Sequence, residues 1–205
     1  MGLTQSALET AINAASLIEP KLRLVVDSIG YPETRSRPSG YETILRTIVG
    51  QQVSVKAAAS IWRKLEEGIG DVSDPAVILS TDEDALRACG LSRQKQGYAR
   101  SLAELVVTGE LDLHNLPQDD EEAITLLTRA KGIGRWSAEI YLLFAEGRPD
   151  IWPAGDLAIQ IALGRILGLG DRPSEKQIRL LAEAWRPHRG AIAILAWHHY
   201  NIQAI

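Results

Sequence analysis

Two short stretches carry residue types whose spacing suits chemistry. Lys131-Gly132-Ile133-Gly134-Arg135-Trp136 reads as a glycine turn that opens straight into a helix, and Pro153-Ala154-Gly155-Asp156 sets one carboxylate at the start of the next helix. Two glycines around one aliphatic residue let the turn close, with Ile133 pinned in the seam between the two helices. Amides at the start of the second helix then lack a carbonyl one turn back. Such amides, helped by the helix dipole, bind a phosphate oxygen. Arg129, Lys131 and Arg135 bracket the turn, which a bare connector does not require, although Gly-Ile-Gly alone also fits one. Asp156 is first of all an N-cap, worth about 1 kcal/mol. A carboxylate that accepts from helix amides favours its charged form, which suits a fixed anion or a base toward water. The preceding Ile151-Trp152-Pro153-Ala154-Gly155 is uncharged, so a partly dry surrounding is expected.

The elements that must position these residues read as helical nearly throughout. Helical apolar spacing with plausible ends runs over Ser6–Ile18, Lys21–Ile29, Glu42–Val49, Ser54–Glu67, Asp82–Ala88, Arg93–Thr108, Asp120–Ala130, Arg135–Glu146, Asp156–Leu167, Ser174–Trp185 and Arg189–Ile202. Ser54 can cap its helix, and Ser174 with Gln177 makes a capping box behind Pro173. Gly50, Gly68, Gly90, Gly109 and Gly147 mark helix ends. Strand alternation is absent, and no repeat has a fixed period. Pro32, Pro38, Ser39 and Gly40 make one long connector; the helices before it are expected to return and pack beside the C-terminal ones.

Bulk properties narrow the function. With 205 residues, 45% of them hydrophobic, the chain can bury a substantial core in one unit or two small lobes. The longest apolar runs, such as Ala191 to Trp197, are too short to span a bilayer, and the N-terminus lacks the pattern of a signal peptide. A cytoplasmic location and no membrane partner are expected. Cys89 is the only cysteine, which excludes an intramolecular disulfide, a four-thiolate iron–sulfur cluster and a multi-cysteine zinc site. His114, His188, His198 and His199 do not form a metal set. A net charge of −4 argues against holding nucleic acid by a broad basic surface, but not against gripping a few phosphates locally.

Gly-Ile-Gly-Arg-Trp-Ser-Ala at a helix start, with an aspartate twenty positions after the tryptophan, resembles the helix-hairpin-helix base-excision DNA glycosylases. Ile48-Val49-Gly50-Gln51-Gln52-Val53-Ser54 and Trp185-Arg186-Pro187-His188-Arg189 are similar to the alkylated-base branch, DNA-3-methyladenine glycosylase II, and the likeness runs from about Tyr41 to Tyr200. The resemblance implies an all-α fold: a compact two-lobed helical bundle with a helix-hairpin-helix motif and an active-site cleft between the lobes. One domain over residues 1–205 is expected, without an N-terminal β-domain.

Residue by residue, the resemblance assigns Asp156 as the catalytic carboxylate. Gly132, Ile133 and Gly134 become the hairpin that grips DNA phosphates, joined by Arg135 and Ser137. Gln52 stands where the family fills the gap left by an extruded nucleotide, with Gln51 beside it; the best-known member has a large apolar wedge there, so glutamine is a departure from it. Trp136, Trp197, Ile140 and Leu157 match base-pocket positions, and an aromatic face against a cationic base is worth about 0.5–2 kcal/mol. Trp197 also fits plain core packing, as do Trp62, Trp185, Tyr98 and Tyr141, while Arg186 and Arg189 fit either a phosphate or an exposed surface. Strand-cutting relatives carry a Schiff-base lysine where this chain has Trp136, so simple base release is expected. Family hairpins use nearby carbonyls to hold a monovalent cation, which would place one near Gly132 and Gly134; no metal is required and no cofactor is expected. The expected partner is double-stranded DNA with alkylated bases, bound by a monomer. Two other readings stay open at this point: a non-catalytic DNA-binding module using only the hairpin, and an all-α interaction protein.

Overall fold

The computed structural model describes residues 3–203, and among them no strand occurs. The helices are α1 (Gln5–Ile18), α2 (Pro20–Ile29), α3 (Tyr41–Gly50), α4 (Val55–Ile69), α5 (Pro75–Ser80), α6 (Glu83–Ala88), α7 (Arg93–Val107), α8 (Asp120–Leu127), α9 (Arg135–Tyr141), α10 (Leu157–Leu167), α11 (Glu175–Ala182) and α12 (Arg189–Gln203). A π-helical turn, Leu142–Glu146, follows α9, and a 3-10 turn, Glu183–Trp185, follows α11.

Most helix starts have the expected chemistry. Ser54 Oγ accepts from the Ala57 amide at 3.2 Å. Ser174 and Gln177 form the reciprocal capping box, with Ser174 N–H donating to Gln177 Oε1 at 2.8 Å. Differences from the sequence reading are local. α5 was not expected; Asp74 caps it and Pro75 occupies its first position, but six residues carry too little periodicity to be seen. α8 ends at Leu127 rather than Ala130, which releases residues 128–134 to form the turn. Gly50 and Gly68 lie inside helices rather than past their ends, while Gly90, Gly109 and Gly147 have positive φ.

The chain divides into two compact units. The first takes the residues up to Arg37 together with those from Leu142 onward, so the N-terminal helices do return to the C-terminal ones. Leu8, Ile12, Leu22, Ile159, Leu163, Ile178, Ile192 and Leu195 are among its fully buried side chains, each worth about 1.5–3 kcal/mol of burial. Leu8, Ile12 and Ala15 fall on one stripe of α1, and Ala191 through Ala196 are all buried, which makes α12 a central helix of this unit. The early connector is tied down by Gln5, whose Nε2 donates to the Pro32 carbonyl at 3.2 Å.

The second unit runs from Pro38 to Tyr141 and holds α3 to α9. Its core includes Leu45, Ile48, Leu65, Ile78, Leu86, Leu102 and Leu127. α7 packs against α3, α5 and α6. Trp62 is buried, donates from Nε1 to Glu66 at 2.6 Å and carries Arg46 over its ring at 3.8 Å. Trp185, in the first unit, is likewise buried, edge-on to Trp152 at 5.9 Å, so both tryptophans are core residues.

Candidate functional site

The glycine turn belongs to the second unit. Asp119 caps α8, its Oδ1 accepting from the amides of Glu121 and Glu122, both at 2.9 Å. Leu127, Ala130 and Ile133 are buried, so the aliphatic residue of Gly-Ile-Gly is the hydrophobic pin between α8 and α9. The Ile133 amide donates to the Ala130 carbonyl at 3.0 Å, and the Lys131 amide donates to Ser101 Oγ at 3.2 Å. Gly132 has φ +84°, and a Cβ there would come within 2.2 Å of the Tyr98 ring, so neither the backbone angle nor the space admits a side chain. Ala138 N–H to Gly134 O, at 3.1 Å, is the first bond of the ladder of α9. The amides of Gly134, Arg135 and Ser137 lie ahead of it, among the helix-start N–H groups that have no helical carbonyl one turn back.

The basic residues around this turn divide in a way the sequence does not reveal. Arg135 pairs with Glu121 through both terminal nitrogens, at 2.5 and 2.8 Å, and with the buried Glu139 at 2.9 Å. These carboxylates push the Arg135 guanidinium further toward its charged form, the Glu121 bonds contributing most. Arg129 pairs with Glu110. Lys131 is exposed and makes no ion pair among the described residues, so its ammonium is the hairpin cation most open to a phosphate.

The turn between α3 and α4 meets the same hairpin. Gln51 Nε2 donates to the Gly132 carbonyl at 2.8 Å across 81 residues of sequence. Gln52, exposed, has φ +56° and is the one described non-glycine residue with positive φ. Gly132 and Gly134 carbonyls each accept one internal bond, leaving one lone pair apiece. A monovalent cation there would need further oxygens from DNA or water.

Asp156 lies in the first unit. Ile151, Trp152, Pro153 and Ala154 before it are buried. Its amide donates to Pro153 O at 3.0 Å, and the buried Gln160 donates from Nε2 to Ala154 O at 2.9 Å, which fixes the approach to α10. The half-buried Asp156 is the N-cap of α10: Oδ1 accepts from the Ile159 amide at 3.0 Å. The same oxygen accepts from Trp197 Nε1 at 3.1 Å. The Trp197 ring lies 5.7 Å from that of Phe144, tilted by 33°. Trp197 is therefore neither plain core nor an isolated stacking surface; its indole N–H holds the carboxylate. Phe144, the only phenylalanine of the chain, was missed by sequence reasoning; its rarity was the one signal available.

The other pocket candidates separate by unit. Leu157 is 53% exposed beside Asp156, while Trp136, 47% exposed, and the half-buried Ile140 sit on α9 next to the hairpin. Tyr98 packs over Gly132, and Tyr141 is buried with its hydroxyl accepting from the Gly40 amide at 2.8 Å. Arg186 and Arg189 are neither free surface charges nor ready phosphate ligands. Arg189 grips Asp150 at 2.8 and 2.9 Å, Arg186 reaches the same carboxylate at 2.6 Å, and both pair with Glu183.

Residues 45–187 match the family described as HhH-GPD superfamily base excision DNA repair protein. The chain is 31% identical to DNA-3-methyladenine glycosylase 1 of Schizosaccharomyces pombe over 201 residues, covering 95% of this chain and 88% of that protein. Its fold matches the crystal structure of a DNA-3-methyladenine glycosidase from Bacillus halodurans with a TM-score of 0.88 at 28% identity, over 98% of this chain and 92% of the other. A 3-methyladenine DNA glycosylase of Schizosaccharomyces pombe in complex with abasic DNA matches with a TM-score of 0.77 at 29% identity, over 96% and 97% of the two chains.

Proposed function

The chain belongs to the HhH-GPD superfamily of base excision DNA repair proteins, and we propose that it is a monofunctional glycosylase that excises N3- and N7-alkylated purines from duplex DNA and leaves an abasic site. The observation that carries this reading is the Asp156 carboxylate held at the head of α10 by two N–H donors, the Ile159 amide and Trp197 Nε1.

The chemistry fits those residues. A base inside the duplex is out of reach, so it must be extruded, at a cost of a few kcal/mol that damage lowers. An N3- or N7-alkylated purine carries positive charge and leaves readily as a neutral base, taking the electron pair of its bond to C1′. The demand is then for an anion beside the sugar as positive charge develops there, and Asp156 supplies it. Water adds at C1′ and its proton is lost to solvent. The ring of Trp197, whose indole N–H already meets Asp156, supplies an electron-rich surface for a cationic base. Grip on the backbone comes from the backbone amides of Gly134, Arg135 and Ser137, with Lys131; the Arg135 guanidinium is already bound by two carboxylates, so that residue contributes its backbone N–H rather than its charge. Chemistry of this kind calls for no cofactor, and the protein acts as a monomer. Among the described residues no helix is long and apolar enough to cross a membrane.

Trp136 stands where a strand-cutting relative would carry a lysine, which supports hydrolysis over lyase chemistry. Incubation with methylated duplex DNA should release 3-methyladenine and 7-methylguanine, and borohydride should trap no protein–DNA adduct. A trapped adduct would overturn the monofunctional assignment, and failure to release either base would overturn the substrate class.

A further inference from the structure

The turn that carries Gln52 and the glycine hairpin are fastened to one another and to a common support, all within the second unit. Lys95, Tyr98 and Ser101 follow each other at i, i+3 and i+6 along one stripe of α7. Lys95 Nζ donates to the Val49 carbonyl at the end of α3, at 2.7 Å. Tyr98 packs its ring against Gly132, and Ser101 Oγ accepts from the Lys131 amide at 3.2 Å. One helix stripe thus seats both turns. Gln51 closes the gap between them, its amide donating to Ile48 O at 3.3 Å and its side chain to Gly132 O at 2.8 Å. The next residue, Gln52, sits in the left-handed region that side-chain-bearing residues seldom occupy, and it points from an exposed turn. Such a conformation persists when its surroundings over-determine it, and Gln51 and Lys95 are what brace it.

We propose that Gln51 is a positioning residue that locks the Gln52 turn to the phosphate-gripping hairpin, so that seating the hairpin on the DNA backbone and driving Gln52 into the duplex are one mechanical event. The inference rests on the glycosylase reading and on Gln52 as the residue that enters the gap. The lock has no apolar bulk to rely on. Glutamine is a weaker wedge than a large hydrophobic side chain, so its delivery depends on a rigid platform. Lys95 serves the same platform. Burial makes its ammonium easier to deprotonate than an exposed lysine, and a neutral amine still donates to Val49 O.

The test compares wild type with Gln51→Ala, Gln52→Ala and the double variant in single-turnover base release. One substrate carries 7-methylguanine in an ordinary pair. The other carries it opposite an abasic site, where little extrusion work remains. Thermal melting confirms that each variant is folded. The expected result is a loss of at least tenfold for Gln51→Ala on the paired lesion, a loss under threefold on the unpaired one, and a double variant no slower than the worse single variant. Equal losses on both substrates, or losses that multiply in the double variant, would overturn the proposal. Gap filling is also read without catalysis, from 2-aminopurine beside an abasic site. Wild type should change its fluorescence, and Gln51→Ala should bind the DNA without doing so. If wild type releases no base yet this contrast persists, the substrate reading falls and the lock stands. If Gln51→Ala gives the wild-type fluorescence change, the lock falls.

Discussion

At the residue scale, the hydrogen bond from Trp197 to Asp156 goes beyond what a helix cap requires. Any Asp at the head of α10 would accept from the Ile159 amide, but Trp197 Nε1 reaches the same Oδ1 from α12, 41 residues away. A hydrogen bond to a charged group contributes about 1.5–3 kcal/mol, so Trp197→Phe should lower the single-turnover rate by about tenfold or more. DNA affinity should stay near wild type, because Phe keeps a ring against Phe144. An unchanged rate would mean that the indole N–H does not serve the carboxylate. Gly132 makes the opposite case, a residue defined by what it lacks. Gly132→Ala forces a positive φ and drives Cβ into Tyr98, and should destabilise the protein by about 1–3 kcal/mol in chemical denaturation while weakening DNA binding. Stability equal to wild type would show that the turn can relax.

Elements were legible where their ends carry polar chemistry. The capping box at Ser174, the caps at Ser54 and Asp156 and the pin at Ile133 follow from residue type and spacing. What escaped reading are events with no local signature. α9 becomes a π-helical turn at Leu142 with nothing in its apolar pattern to announce it, and α5 is too short to show a period. Long-range pairing is equally silent: Arg129, Arg135, Arg186 and Arg189 looked available for phosphates, and each is taken by a carboxylate. The same limit hid His199 near the end of α12. Burial, the charge of Arg165 and that of His198 all push its protonation below the ordinary 6.5. Its folded-state value is thus below the unfolded one, so between those values the unfolded chain binds more protons and stability rises with pH. Melting temperature should fall as pH drops below about 6.5, and His199→Gln should flatten that slope; a slope identical to wild type would assign the effect to other groups.

For the whole molecule, an acidic chain that binds DNA must do so through few contacts. With a net charge of −4, and with Lys131 and the hairpin amides as the proposed grip, the protein should engage about two or three phosphates rather than a long track. Each neutralised phosphate contributes about −0.9 to the slope of log K against log salt, so a slope of about −2 to −3 is expected from fluorescence anisotropy. A slope steeper than about −5 would reveal a basic surface not accounted for. The all-helical architecture was readable from periodicity, whereas the return of the N-terminal helices to the C-terminal ones was an expectation that no residue pattern fixes, and the division at Arg37 and Tyr141 was not readable, since no linker composition marks it. The central claim is that this fold carries one catalytic anion, Asp156. It is tested most directly by single-turnover release of 3-methyladenine from duplex DNA by wild type and Asp156→Asn. Asparagine caps a helix as well as aspartate, so the variant should melt close to wild type and still bind DNA while its rate falls by about a hundredfold or more. Equal rates would contradict the account.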